Sequence, residues 1–296
     1  MDGTYDIHLL DDSCPIKVMH GDAPVISMSC MHWHNCCEIA LLKQGRGTYR
    51  LAVGHLEMGP GDIAVFGPQV PHHLITDNAS ELVQPVILFS ETLLPVECRN
   101  ATDGGSAGLG YRVCADEPIS ARLTRCLLLI IDELVHARSG YRTIVTALLT
   151  EATALLARRL TDGDLDAFPD SRMAKRLSAA ADYVVRNSMR ELTLAEVAAV
   201  VSFSPAYFSA QFHRAYGVTF TNYLTAVRID RALRMLVSTD QKVISIANEC
   251  GFGSMANFYS HFERQTRMSP RQVRRKRGPT CPAMKGSATV QTGSGA

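Results

Sequence analysis

The sequence predicts an α+β protein of two domains: an N-terminal β-barrel followed by an α-helical hairpin, and then an all-α domain. Short apolar runs divided by Gly and Pro occupy positions 25–89, a pattern typical of β-strands. From Ile119 onward, apolar residues recur at steps of three and four, the spacing of one helix face. The charge changes sign along the chain, since residues 1–171 contain 12 Lys and Arg against 22 Asp and Glu, and residues 172–277 contain 17 against 7. A basic helical domain of this kind indicates a polyanionic partner, most often nucleic acid.

Length and composition exclude several classes of protein. A chain of 296 residues with 46% hydrophobic side chains is enough for about two packed domains, which excludes disorder as the main state. Apolar runs such as 127–131 fall far short of the roughly 18 residues that span a bilayer, and the N-terminus lacks the pattern of a signal peptide. We therefore expect a soluble cytoplasmic protein with no membrane partner. The nine cysteines form no CxxC pair, which favours reduced thiols over a disulfide framework.

Four segments follow from these patterns. Residues 1–110 are predicted to form the barrel, ending in a Gly-rich loop at 100–110, and residues 111–165 a helical element for dimerisation or signal transmission. The acidic stretch 161–171 contains Gly and Pro and is predicted to be the domain boundary. Residues 172–277 form the basic helical domain, and the small polar tail 278–296 is predicted to be disordered.

The basic domain contains an internal repeat. VAAVVSF at 197–203 lies 49 residues before IANECGF at 246–252. Phe208, Phe212 and Phe220 then correspond to Phe258, Phe262 and Pro270 at an offset of 50. Each copy has a short apolar helix, a tight turn and a second helix with aromatic residues four apart. This is the sequence form of a helix-turn-helix unit, whose second helix enters the major groove of DNA.

The repeat, with the stretch YLTAVRIDRALRML between its copies, resembles the DNA-binding domain of AraC/XylS-family transcription regulators. The resemblance implies two helix-turn-helix units joined by one long helix, here 220–236, with recognition helices in successive major grooves about 34 Å apart. It implies double-stranded promoter DNA as a partner, RNA polymerase as another, and a homodimer. Two positions depart from the pattern, because Ser202 replaces the turn glycine that Gly251 retains, and Arg267 stands where the first copy has Gly217.

The outward-facing positions of the two recognition helices are the candidate DNA-reading residues. In the first unit these are Ser204, Ala206, Tyr207, Ser209, Ala210 and Arg214, and in the second Ser254, Met255, Asn257, Ser260, His261 and Arg264. Asn257 can pair with adenine, and His261 and Arg264 can reach guanine or phosphate. The alanines of the first helix favour contacts with thymine methyl groups.

The acidic half carries a second group of candidate residues. His32, His34, Cys36 and Glu38 alternate along a predicted strand and would share one face, and a later stretch, GDIAVFGPQVPHH, ends at His72 and His73. Imidazole and carboxylate ligands suit Zn, Mn, Fe or Ni. The pattern resembles the two motifs of cupin barrels, although Gly67 and Gln69 depart from the second motif.

Three interpretations of this face remain open: a divalent metal site, a metal-free pocket for a small-molecule effector, and plain packing. The metal set is His32, His34, Glu38 and His72, and the effector set adds Trp33 and Tyr49. Cys36 and Cys37 are the plausible carriers of a redox response.

These observations predict a sequence-specific, effector-responsive transcription regulator with no catalytic residues and no required cofactor. Two alternatives are kept. One is a metal-dependent cupin enzyme that carries a DNA-binding domain. The other is an effector-independent regulator whose barrel only dimerises.

Overall fold

The computed structural model describes residues 4–6, 15–19, 24–25, 31–51, 54–76, 82–96, 98, 110–162 and 171–276. Most of the predicted loop at 100–110, the boundary at 163–170 and the predicted disordered tail lie outside the described residues. Within the described part of the chain, no helix combines the length and apolar character needed to cross a membrane.

The N-terminal domain is built from two five-stranded sheets. The strands are β1 (Thr4–Asp6), β2 (Ile16–Met19), β3 (Pro24–Val25), β4 (His32–His34), β5 (Cys37–Leu41), β6 (Gly47–Leu51), β7 (His55–Met58), β8 (Ile63–Phe66), β9 (His72–Thr76), β10 (Leu82–Val83), β11 (Val86–Phe89) and β12 (Tyr111–Val113). The first sheet has the order β1-β4-β9-β6-β7 and the second β12-β8-β5-β11-β2, while β10 pairs with β3. Gly and Pro between the strands provide the turns, as the sequence predicts.

The strands of the second sheet have apolar residues on both faces because the sheet is covered on both sides. One face carries Ala40, Phe66 and Leu88, which pack with Tyr49 and Leu74 of the first sheet to fill the barrel interior. The other face packs against a helical hairpin of α1 (Ser120–His136) and α2 (Tyr141–Asp162). The predicted hairpin is thus confirmed, and it lies on the outside of the barrel.

One predicted boundary differs from the structure. The sequence predicts that the barrel ends at 110 and the helical element begins at 111, but β12 pairs with β8 in the register Tyr111↔Val65 and completes the second sheet. A strand of three residues is too short to show an alternating pattern, so its sequence gave no signal.

The C-terminal domain is all-helical. It contains α3 (Ser171–Asn187), α4 (Leu194–Val200), α5 (Pro205–Tyr216), α6 (Phe220–Ser238), α7 (Val243–Glu249), α8 (Met255–Thr266) and α9 (Pro270–Lys276). Helices α4 and α7 begin 49 residues apart, and α5 and α8 begin 50 apart, so the repeat is confirmed. The predicted long connecting helix is also confirmed, as α6.

The turns of the two helix-turn-helix units have the same backbone geometry. The backbone N–H of Phe203 donates to the carbonyl of Ala198 (2.9 Å), and the N–H of Phe252 donates to that of Ala247 (3.0 Å). Each turn also requires a left-handed residue, which glycine adopts at the lowest cost.

Candidate functional site: a buried histidine cluster and two recognition helices

Three histidines and a glutamate meet inside the barrel. His32 and His34 lie on the same face of β4, His72 is paired with His32 on β9, and Glu38 reaches them from β5 of the opposite sheet. All four are buried, with exposures of 5% or less. The candidate ligand atoms of the three histidines lie within 4.8 Å of one another, a spacing that suits a metal ion.

Hydrogen bonds fix the orientation of two of the rings. His34 Nδ1 lies 3.0 Å from the carbonyl oxygen of Cys36, and His72 Nδ1 lies 2.9 Å from that of Val70. Because a carbonyl only accepts, each Nδ1 is the donor and carries the proton. The Nε2 atoms therefore point at Glu38 Oε2, at 2.9 Å from His34 and 3.4 Å from His72.

The charge of the cluster depends on its histidines. Burial opposes ionisation of Glu38, but His72 and His34 outweigh burial and hold the pKa of this carboxyl well below its usual range. The buried carboxylate of Glu38 thus needs a positive charge near the Nε2 atoms of His34 and His72.

Aromatic side chains fill the space around the cluster. Phe66 stacks on His72 with ring centroids 4.2 Å apart, and Tyr49 lies 4.8 Å from Phe66. The Tyr49 hydroxyl donates to Gln84 Oε1 (3.1 Å), and burial raises the pKa of Tyr49 well above its ordinary value, so the hydroxyl keeps its proton.

Trp33 does not lie with the other predicted effector-binding residues. It stands between His32 and His34 on β4, so its side chain leaves the opposite face of the strand. There it is 1% exposed and belongs to the apolar core of the C-terminal domain. The structure thus brings together His32, His34, Glu38, Tyr49 and His72, and separates Trp33 from them.

The two cysteines beside the cluster differ in position. Cys37 belongs to the core beneath the helical hairpin, whereas Cys36 faces the barrel interior. Burial raises the pKa of Cys36 to about 12, which leaves the thiol protonated and weakly nucleophilic.

The recognition helices are α5 and α8. Their paired aromatics Phe208, Phe212, Phe258 and Phe262 have no exposed surface, which confirms that they form the inner face. In the first unit the Ser204 hydroxyl accepts a hydrogen bond from the Tyr207 backbone N–H (3.3 Å) and caps α5.

The predicted DNA-reading residues of α5 divide into two stripes. Ala206, Ser209 and Ala210 are exposed to solvent on one stripe. Tyr207 and Arg214 lie on the other, which lines a cleft of about 710 Å³ between the helical domain and the barrel. The barrel side of this cleft includes Arg50, His55 and Glu57.

His213 is a further candidate DNA-reading residue that the sequence pattern did not identify. It is exposed and lies three residues after Ala210, so its spacing puts it on the same stripe as Ala206 and Ala210. Extending the spacing by one more turn would have found it.

In α8, Asn257, Ser260 and Arg264 are exposed, as is Ser254 just before the helix, while Met255 and His261 are half-buried. An Arg264 guanidinium N–H donates to His261 Nδ1 (2.9 Å). Partial burial, with the Arg264 charge, lowers the pKa of His261, so the imidazole is neutral at pH 7.

Comparison with known proteins agrees with this architecture. Residues 172–276 match a family model described as a helix-turn-helix domain, and residues 19–153 match an AraC-like ligand binding domain. The chain is 25% identical over 267 residues to the melibiose operon regulatory protein of Escherichia coli (strain K12), with 84% of each chain covered. It is 31% identical over 99 residues to an uncharacterized HTH-type transcriptional regulator of Staphylococcus aureus (strain MSSA476), covering 33% of this chain and 13% of the other. The crystal structure of ToxT from Vibrio cholerae O395 covers 90% of this chain and 98% of its own, at 13% identity and a TM-score of 0.43.

A ligand-binding barrel joined to two helix-turn-helix units defines a DNA-binding transcription regulator. The chain belongs to the AraC family of these regulators, as the resemblance in the sequence implies. The relative from Escherichia coli, which aligns over 84% of its length, is named as a regulatory protein.

Proposed function

We propose that this regulator responds to a divalent transition-metal ion bound by His32, His34, His72 and Glu38. The observation that carries the proposal is the convergence of three imidazoles and one carboxylate in a buried site. DNA binding belongs to the family, and the metal response is the part proposed here.

The hydrogen-bond directions support a cation at this point. Because Nδ1 of His34 and of His72 donates to a carbonyl, Nε2 is the ring atom that faces Glu38, and the Nε2 of a ring protonated at Nδ1 alone presents a lone pair to the lone pairs of the carboxylate. Two acceptors facing each other at 2.9 Å need a proton or a metal ion between them. Backbone carbonyls that hold Nδ1 are also the usual outer partners of metal-bound histidines.

The distances and ligand types agree with a metal. Bonds of about 2.0–2.1 Å at tetrahedral angles separate neighbouring ligand atoms by about 3.3 Å. The two Nε2–Oε2 distances, 2.9 and 3.4 Å, lie close to that value. Imidazole with carboxylate suits Zn, Fe, Ni or Cu better than Mg or Ca.

Buried aromatic side chains lie around the cluster, since Tyr49 is 2% exposed and Phe66 is fully buried. The cleft beside α5 has the volume that an organic effector needs. If the sequence-predicted small molecule exists, this cleft is the better place for it.

Native mass spectrometry of protein purified without chelator tests the proposal. We expect one metal ion per chain, lost in His72→Ala and retained in His73→Ala. His73 is the matched control, because it follows His72 on β9 and its side chain leaves the other face of the strand. A metal-free wild type that also fails to bind added Zn²⁺ or Ni²⁺ overturns the proposal. A retained organic mass that survives His72→Ala locates the effector outside the cluster.

We further propose that the hairpin α1–α2 forms the dimer interface expected from the sequence. Its outward face exposes Leu128, Leu129, Val135 and Ile144, with exposures of 40–68%. Apolar side chains on one face are typical of homodimer interfaces. Leu129→Arg is expected to shift the sedimentation coefficient to that of a monomer, whereas Met189→Arg, at an equally exposed position in the other domain, is not. A wild type that sediments as a monomer contradicts the proposal.

RNA polymerase, a partner implied by the family resemblance, stays a prediction.

A further inference from the structure

Side chains of strand β4 pack in both domains. His32 and His34 leave one face of the strand toward Glu38 and His72, and Trp33 leaves the other face toward the DNA-binding domain. The three residues are consecutive, so a displacement of the histidine backbone also displaces the indole.

Trp33 packs at the junction of two DNA-binding elements. Its ring stacks on Tyr223, in the first turn of α6, with centroids 5.7 Å apart and planes 29° apart. The ring of Tyr216, the last residue of α5, is perpendicular to the indole, with ring centroids 6.2 Å apart. The indole thus touches the end of the first recognition helix and the start of the helix that joins the two units.

Two polar contacts surround this stacking. The amide of Asn35, just after β4, donates to Asp230 Oδ1 on α6 (2.7 Å), and Arg234 holds the other oxygen of Asp230 (2.5 Å). The Tyr223 hydroxyl donates to Gln69 Oε1 (3.4 Å), in the turn that precedes β9 and His72. Both chain segments that carry the clustered histidines therefore also contact α6.

We propose that Trp33 is the positioning residue that couples the metal site of the barrel to the DNA-binding domain. This inference rests on the proposed metal site. His32 and His34 would both be held in place by a bound metal ion, and with them the backbone of β4 and the direction of the indole. The orientation of Tyr216 and Tyr223, and with them the angle between α5 and α6, then differs between the metal-bound and metal-free protein.

Coupling of this kind is reciprocal. If metal changes the affinity for DNA by a given factor, DNA changes the affinity for metal by the same factor. Allosteric couplings typically amount to about 5- to 150-fold. Because Trp33 is the only tryptophan of the chain, its fluorescence reports the junction directly.

The test compares five proteins for Zn²⁺ binding and for binding to a fluorescein-labelled duplex selected from random DNA by the wild type. The proteins are the wild type, Trp33→Leu, Trp33→Phe, Asn35→Ala and Asn187→Ala. The wild type is expected to change its tryptophan emission on adding Zn²⁺, and its Kd for DNA by at least about fivefold. Trp33→Leu is expected to bind Zn²⁺ with unchanged stoichiometry but to lose the effect on DNA. Trp33→Phe keeps an aromatic ring against Tyr223 and is expected to retain most of the effect of Zn²⁺ on the Kd for DNA.

Asn35→Ala is the second variant, which keeps the test decisive if Trp33→Leu does not fold. It removes the hydrogen bond to Asp230 and is expected to reduce the Zn²⁺ effect on DNA. Asn187→Ala is its matched control, since the Asn187 amide N–H donates to the carbonyl of Tyr183 (2.9 Å) and its oxygen accepts from Arg190 (3.4 Å), both within the DNA-binding domain.

The possible failures are distinguishable. If the wild type binds no metal, the proposed function fails and the coupling falls with it. If the wild type binds Zn²⁺ and Trp33→Leu keeps the full effect on DNA, only the coupling through Trp33 is overturned. Unchanged DNA affinity in a Zn²⁺-loaded wild type overturns it as well.

Discussion

Ser202 and Gly251 occupy the same turn position in the two helix-turn-helix units, and both adopt a left-handed backbone, with φ of 56° and 84°. The backbone N–H of each donates to the carbonyl three residues before it, at 3.0 Å from Ala199 and 2.9 Å from Asn248. The fold therefore imposes the same conformation on a serine and on a glycine, although only glycine adopts it without steric cost.

We expect Ser202→Gly to stabilise the protein by about 0.5–1 kcal/mol. The left-handed conformation costs a residue with a Cβ about 1–2 kcal/mol, and the greater chain entropy of glycine offsets part of the gain. Urea unfolding measures the change. Ser209→Gly, at an exposed site inside α5, is the control and should destabilise by about 0.5–1 kcal/mol. Equal changes in unfolding free energy for Ser202→Gly and Ser209→Gly would contradict the left-handed backbone of Ser202.

Gly251→Ala is expected to destabilise the same turn. A Cβ at this position would lie 2.8 Å from the carbonyl oxygen of Met189 and 2.9 Å from that of Ser188. The left-handed backbone alone costs about 1–2 kcal/mol, and the contact with rigid backbone adds to it. The unfolding midpoint in urea should fall clearly below that of the wild type, and an unchanged midpoint would refute the close approach.

Asp230 makes stability depend on pH. Burial raises its pKa from 3.8 to about 6, against the opposing effects of Arg234 and Asn35. The folded state therefore binds this proton more tightly than the unfolded state, so the contribution to stability is greatest below pH 3.8 and is lost as the pH rises through about 6. Relative to Asp230→Asn, the wild type should lose about 2–3 kcal/mol of unfolding free energy between pH 4 and 7. If the difference in unfolding free energy between the wild type and Asp230→Asn does not vary with pH, then Arg234 and Asn35 fully offset the effect of burial on the pKa of Asp230.

Base recognition by the second unit is expected to depend on Asn257. This exposed side chain on α8 can form two hydrogen bonds with an adenine. Asn257→Ala should relax the preference at one base pair by about 1–3 kcal/mol in competition binding with single-base variants of the selected duplex. Asn248→Ala, exposed on the preceding helix α7, should leave every preference unchanged. An intact preference in Asn257→Ala would exclude direct recognition by this residue.

The sequence predicts most of the fold because its patterns are local. The offset of 49 or 50 residues and the paired phenylalanines depend only on positions within one repeat, and strand alternation alone brings His32 and His34 to one face. The turn at Ser202 was also foreseen as a departure from glycine, and its positive φ explains why glycine is common there.

The contacts between domains could not be predicted in the same way. Trp33 and Tyr223 are separated by 190 residues, and no periodicity relates positions so far apart. The sequence analysis includes Trp33 among the effector-binding residues, yet alternation along β4 turns its side chain away from the histidines. The cleft beside α5 likewise depends on how the domains pack.

The central claim is that metal in the barrel controls binding to DNA. The most direct measurement is the fluorescence anisotropy of the labelled duplex with wild type and His72→Ala, each with one equivalent of Zn²⁺ and after chelation. We expect Zn²⁺ to change the Kd of the wild type for DNA by at least about fivefold and to leave that of His72→Ala unchanged. Equal affinities of the wild type with and without bound Zn²⁺ would contradict it.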